Sequence, residues 1–534
     1  MFEIGSDIVA GFKNYGSVRD RRVSFAVAVL FLMLAVFSIR LVQLGLESPS
    51  AHRRGAGAGG WTAMRADITD RNGELLAATT AGFFIKVFPS GMTADAPEVL
   101  KRIDPSLSAD RLLAITSSNA AALYINSSPL PAGSDVLGKA RAARRDWIEI
   151  EERRLRAYSK RRAASHIVGF VGRDGRGLEG AEKFLDRRLR ESEEPVALSI
   201  DFRVQSILHR ELEITKRRHN AKMAAGILMD SLTGEIIAAV QIPDFDPENR
   251  DGVPARDITF WPLRGTYEMG SIFKLFNSAL AYESGLKKST LYDVSKPLAV
   301  GRHFVRDLGA SRNRPNRMNI DDVFVWSSNI GSAKIALSMP RGKQTEFFRK
   351  IRLGEALDIN GLGRTVANPV PRNSSDMDIA SMSFGHGIAV SMMNLVAASN
   401  AMVNGGIFIV PRLTKALPGE ALRGERVLSV EVSAKLREAM FRVSEETTGR
   451  LARVGGINIG SKTGTARKPV PGGYSATKNI ASFVSVFPIE SPKYILLIIL
   501  DEPDAEPGVP RTAAHNVVPA TGRILDSVVP MLIK

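Results

Sequence analysis

Apolar and polar positions along this chain fall into three patterns. The first is continuous. Residues 23–39, VSFAVAVLFLMLAVFSI, are nearly uncharged, and LVQLGL extends the run past Arg40 to the ~20 residues that span a bilayer. The run is longer than the ~7–15 residues of a signal-peptide core and no small-x-small cleavage site follows, so it predicts a retained membrane helix over 23–46. The second pattern is strand-like: AAGILMD and EIIAAVQIP flank the turn SLTG, and NIASFVSVF and YILLIIL flank PIESPK. Each predicts an antiparallel hairpin. The third is helical. Residues 271–283, SIFKLFNSALAYE, are apolar on nearly every face and end near Gly285, as a buried central helix would. Together these elements predict an α/β (α+β) domain over 196–534, an antiparallel sheet flanked by helices.

Between anchor and domain, residues 47–60 contain the spacer GAGAGG. Residues 61–195 mix strand-like GFFIKVF and HIVGFVG with the Arg-rich stretch ARAARRDWIEIEERRLRAYSKRR, which reads as helix with interleaved charges. No catalytic group stands out, so this segment reads as a pedestal or partner-binding module. Gly175, Gly177 and Gly180 make a G-x-G-x-x-G with Asp201 about 20 residues on, most of a dinucleotide fingerprint. The elements that follow read as a hairpin instead of a second strand-helix crossover, and no cofactor is expected.

Composition narrows the classes. With 534 residues, 44% of them apolar, the chain can build more than one core. Its 72 Lys+Arg against 56 Asp+Glu give +16, which suits anionic lipid or another polyanion as neighbour. No nucleic-acid reader motif accompanies the charge, so nucleic acid is not an expected partner. The absence of cysteine excludes disulfides, thiolate zinc sites and cysteine nucleophiles, and the seven histidines lack ligand spacing. No metal is expected. Lys13, Arg19, Arg21 and Arg22 precede the apolar run, which places the tail 1–22 in the cytoplasm and the remainder beyond the membrane. His52, Arg53 and Arg54 on the far side pull the other way.

Candidate chemistry begins at YEMGSIFK, 267–274. If Ser271 stands in the first turn of the buried helix, Lys274 at i+3 emerges on the same face within reach of its hydroxyl. Burial, helped by a second cation, can lower the ammonium pKa until the amine takes the serine's proton. SSN at 327–329 opens a helical segment and adds the hydroxyl of Ser327 and the carboxamide of Asn329; KTGT at 462–465, from Lys462, ends the strand GINIGS. Serine-lysine, Ser-x-Asn and Lys-Thr-Gly in this order form a serine acyltransferase set.

With these motifs the chain resembles the class B penicillin-binding proteins, most closely their cell-division (FtsI-type) branch. MRADITDRNGELLA at 64–77 and GRGLEGAEKFLD at 175–186 resemble motifs of the family's pedestal, a dimerisation-type domain. VPARDITF, SFGHGIAV, NGG and LDEP are similar to its catalytic part. Glu268 and Met269 stand where the elongation branch carries two prolines. Ala66, Ile272, SMMN at 391–394 and VVP at 517–519 depart from the pattern and suggest a divergent or paralogous member.

The resemblance implies a D-Ala-D-Ala transpeptidase. In it Ser271 attacks the penultimate D-alanine of a peptidoglycan stem peptide, Lys274 takes its proton and the N–H groups of Ser271 and Thr465 hold the oxyanion. Ser327 relays a proton to the leaving D-alanine, Asn329 holds the donor amide, and Lys462 supplies charge. Thr463, Gly464 and Thr465 bind the substrate's terminal carboxylate. A β-lactam would acylate the same serine. Implied partners are stem peptides, a multispanning glycan polymerase and other divisome proteins at the inner membrane. The alternatives are an elongation-type or paralogous transpeptidase, a β-lactamase, a carboxypeptidase, and a non-catalytic β-lactam sensor or scaffold.

Overall fold

The computed structural model describes residues 65–534, apart from 308–313, 372–373, 417–419, 421–423, 507 and 534, together with Val27, Ala28, Leu30 and Met33. The chain divides into two compact units, Met1–Trp61 and Thr62–Lys534. Apart from those four residues, which are helical, the expected anchor over 23–46 lies outside the described residues. Among the described residues no helix is long and apolar enough to cross a membrane.

The second unit opens with a five-stranded sheet built around β1 (Leu75–Val87) and β2 (Ile148–Ala157). The two pair antiparallel from Ala78↔Ala157 to Val87↔Ile148. The Arg-rich stretch expected to be helical is therefore helix only over Asp135–Ala143 and then strand. Its IEIEE segment alternates with period two, and Ile148 and Ile150 pack on a small core of Ile85, Val87, Leu100, Ile115 and Trp147. The Arg153 guanidinium covers the Phe84 ring on the partner strand at 4.6 Å. Local pairing overrode a helix-favouring composition.

The remainder runs through α1 (Phe202–Arg218), the hairpin β3 (Met223–Asp230) and β4 (Ile236–Ile242), then α2 (Phe273–Glu283), α3 (Asn329–Leu337), α4 (Asp376–Met382), α5 (Met392–Val403) and α6 (Val430–Glu446). It closes with β5 (Gly460–Val470), β6 (Gly473–Phe487), β7 (Tyr494–Asp501) and α7 (Val517–Leu532). The five strands form one antiparallel sheet in the order β5-β6-β7-β3-β4. Both predicted hairpins are present, and the sheet is flanked by helices. Its central strand reads YILLIIL because both faces are covered. Leu496, Ile498 and Leu500 join a core with Val204, Leu208 and Leu212 of α1 and Val517, Leu525 and Val528 of α7. Ile495, Leu497 and Ile499 join the larger core with α2 and α5. Burying each such side chain is worth about 1.5–3 kcal/mol, which fixes the sheet as a rigid base for edge strand β5.

Buried charge ties together the parts of the region before α1. Arg65 meets Glu182 at 2.7 Å and Asp186 at 2.6 Å and donates to Gly175 O at 2.9 Å, while Arg156 of β2 meets the other Glu182 oxygen at 2.6 Å. The glycines of the apparent dinucleotide fingerprint thus bend a loop around an arginine. No second crossover strand follows them: a short strand, Val196–Ala197, pairs with Ile68–Thr69, and α1 comes next.

Candidate active site

Three segments meet at the inner end of α2. The chain enters through a tight turn, Gly270–Ile272, that carries Ser271 into the helix, so Ser271 precedes the α-helix by two residues. β5 lies directly against this turn. A Cβ on Gly464 would stand 2.2 Å from Met269 O and 2.3 Å from Ser482 Oγ, so only glycine lets the strand approach so closely. Gly385 (φ 80°), in the loop after α4, closes the other side; a Cβ there would lie 2.1 Å from Gly270 O.

Lys274, on the first turn of α2, is 1% exposed and lies 2.7 Å from Ser271 Oγ, 2.7 Å from Asn329 Oδ1 and 3.5 Å from Ser327 Oγ. Lys462 of β5, fully buried, reaches Ser327 Oγ at 3.0 Å. Ser327 therefore sits between two amines, and it does so at φ 57°, a left-handed conformation that a non-glycine residue holds only under constraint from its surroundings. Burial brings the Lys462 amine down to about 7. Burial first, and then the neighbouring Lys462 charge, hold Lys274 well below the ordinary lysine range, against an opposing pull from Asp307. A neutral amine at hydrogen-bond distance from a hydroxyl can remove its proton, chemistry that makes Ser271 the candidate nucleophile.

Five of the predicted residues, Ser271, Lys274, Ser327, Asn329 and Lys462, are thus joined in one hydrogen-bonded chain. Thr463, Gly464 and Thr465 follow along β5; Thr463 shares a hydrogen bond with Thr448 at 3.0 Å, and Thr465 Oγ1 accepts from Ala513 N at 3.2 Å. Lys-Thr-Gly-Thr does not end a strand: β5 starts at Gly460, and the motif occupies its first half, with Gly455 and Gly456 in the turn before it.

Sequence reasoning missed Asp307. It accepts from Ser328 Oγ at 2.8 Å and from the N–H groups of Asn329 and Ile330, and it pairs with Arg314 at 2.5 Å. A carboxylate at the start of α3 meets its free N–H groups and its dipole, and so fixes the Ser-x-Asn turn. RDLGASRNR carries no pattern that announces this. Thr448 is equally silent in sequence.

Comparison with known proteins places this geometry in a family. Residues 224–519 match the penicillin binding protein transpeptidase domain. Over 529 residues the chain is 31% identical to the probable peptidoglycan D,D-transpeptidase FtsI of Caulobacter vibrioides, covering 94% of this chain and 88% of that protein. The chain belongs to the class B penicillin-binding proteins, FtsI type. It is accordingly a serine-type peptidoglycan D,D-transpeptidase. The FtsI of Escherichia coli K12 is 27% identical over 385 residues, 67% of this chain and 64% of that one. Penicillin binding protein 2X of Streptococcus thermophilus shares the fold at a TM-score of 0.72 and 20% identity, covering 88% of this chain and 80% of its own.

Proposed function

We propose that this class B penicillin-binding protein cross-links septal peptidoglycan through an acyl-enzyme on Ser271. The observation that carries the reading is the buried Lys274 amine 2.7 Å from the Ser271 hydroxyl. Lys274 takes the hydroxyl proton as Ser271 attacks the D-alanyl carbonyl. The Ser271 and Thr465 N–H groups stabilise the oxyanion; the tight approach of Gly270 to Thr465 supports this pairing. Ser327, between the two lysines, passes a proton to the departing D-alanine. Asn329 holds the donor amide, and Lys462 with Thr463, Gly464 and Thr465 receives the terminal carboxylate. An amine from a neighbouring stem then displaces Ser271 Oγ and forms the cross-link.

The division of labour in the chain follows the sequence: tail 1–22, anchor 23–46, linker 47–60, pedestal 61–195 and transpeptidase region 196–534. The single inner-membrane anchor holds the catalytic region outside the cytoplasm, and a separate multispanning polymerase supplies the glycan strands. Lipid-linked disaccharide peptide incubated with such a polymerase and this protein should give cross-linked glycan, and the Ser271→Ala variant should give none. Depletion should produce filaments. Polymer without cross-links from the intact protein would favour a sensor or scaffold, and rounded cells on depletion would favour an elongation enzyme.

A further inference from the structure

The second half-reaction poses an electrostatic problem that the acylation machinery leaves open. The acceptor is a primary amine, and with an ordinary pKa near 10 it arrives as an ammonium ion. The basic groups around Ser271 offer an ammonium no attraction: Lys274 and Lys462, amines whose neutral form burial favours, bracket Ser327, and Arg467 lies further along β5. An ammonium needs an anion to bring it there and to take its proton before it can attack.

Two carboxylates flank the nucleophile. Asp307 is saturated by Arg314, Ser328 and two backbone N–H groups. Glu268, three residues before Ser271, is not. Its Oε1 accepts from Gly387 N at 3.0 Å and from the Tyr474 hydroxyl at 3.1 Å, whereas among the described residues no group donates to its buried Oε2. Around it sit two further groups. The His386 ring lies 5.4 Å from the Tyr474 ring, and its Nδ1 is also buried without a partner among the described residues. Burial and the Lys274 charge bring His386 down to about 4, so at neutral pH it adds no positive charge to repel a cation. Tyr474 stands at the tip of the β5–β6 hairpin beside Gly472 and Gly473, 45% exposed.

We propose that Glu268 is the receptor for the acceptor's ammonium group, uncovered when the Tyr474 hydroxyl leaves it. This rests on the reading of Ser271 as the acylated nucleophile. Glu268 binds the ammonium and takes one proton from it, leaving a neutral amine. The amine nitrogen bonds to the acyl carbon and the carbon–Oγ ester bond breaks. The second proton on nitrogen passes through the Lys274 amine to Ser271 Oγ, and Glu268 releases the first to solvent. Burial raises the Glu268 carboxyl above its ordinary range, which strengthens it as a base.

The test uses a D-alanyl thioglycolate thioester as donor and Nα-acetyl-lysine as acceptor, and reads the ratio of aminolysis to hydrolysis per acyl-enzyme formed. Glu268→Gln should lower that ratio about tenfold or more, as loss of a charge-assisted hydrogen bond implies. Tyr474→Phe, which frees the carboxylate, should hold or raise it. A mere latch between Glu268 and Tyr474 would make both variants fall together, and that result overturns the proposal, as does a Glu268→Gln ratio within about twofold of the intact protein, too small for such a bond. If Glu268→Gln forms no acyl-enzyme, Tyr474→Phe decides, a ratio below the intact protein's counting against. Failure of the intact protein to form any acyl-enzyme would instead refute the Ser271 reading itself.

Discussion

At the scale of single residues, the proposed chemistry rests on two amines that burial has made unusual. Lys462 acts on Lys274 through its charge, so replacing it by glutamine removes a positive charge that disfavours protonated Lys274. The Lys274 pKa then rises, and the neutral amine appears only at higher pH. The acid limb of the penicillin acylation rate in Lys462→Gln should therefore move to higher pH, measured with a fluorescent penicillin; an unmoved or lower limb would contradict the coupling. Ser271, Lys274, Ser327, Asn329 and Lys462 were all legible in the sequence, because three short motifs in fixed order carry them. Asp307 and Thr448 were not, since each acts through a contact made only by folding. Glu268 was visible as a departure from two prolines, but its neighbours His386 and Tyr474 lie more than a hundred residues away in sequence.

At the scale of elements, the site depends on how closely β5 and the loop after α4 press on the nucleophile turn. Gly464→Ala would force a methyl to 2.2 Å from Met269 O, at about 1–3 kcal/mol of overpacking. It should slow acylation while the circular dichroism stays native; an acylation rate equal to wild type would show that the turn yields without consequence. Both hairpins and the buried α2 could be read directly, because strands covered on two faces and a helix apolar all round leave unbroken runs. β2 could not, because its arginines and glutamates suit a solvated helix and only pairing with β1 sets its period. The Lys-Thr-Gly strand was misplaced for a related reason: GINIGS looks strand-like, yet pairing with β6 begins only at Gly460.

At the scale of the whole molecule, the Arg65, Arg156, Glu182 and Asp186 cluster joins the start of the second unit, β2 and the loop carrying Gly175. Glu182→Gln leaves two buried guanidinium groups without their shared carboxylate, a loss of about 3–5 kcal/mol for a broken buried ion pair. The denaturation midpoint should fall accordingly. The acylation rate of the protein that remains folded should not, since the cluster's bonds fall within the region before α1. A fall in both would mean that the region before α1 helps to shape the site. The motifs that supply Arg65 and Glu182 were recognisable as family patterns, but that they meet as one ion cluster was not, because 117 residues separate them.

The central claim is that Ser271 is the residue acylated. The intact protein incubated with a penicillin, digested and examined by mass spectrometry should carry the drug's mass on the peptide containing Ser271, and Ser271→Ala should carry none while remaining folded. An adduct on that variant, or on any other residue of the intact protein, would contradict the account.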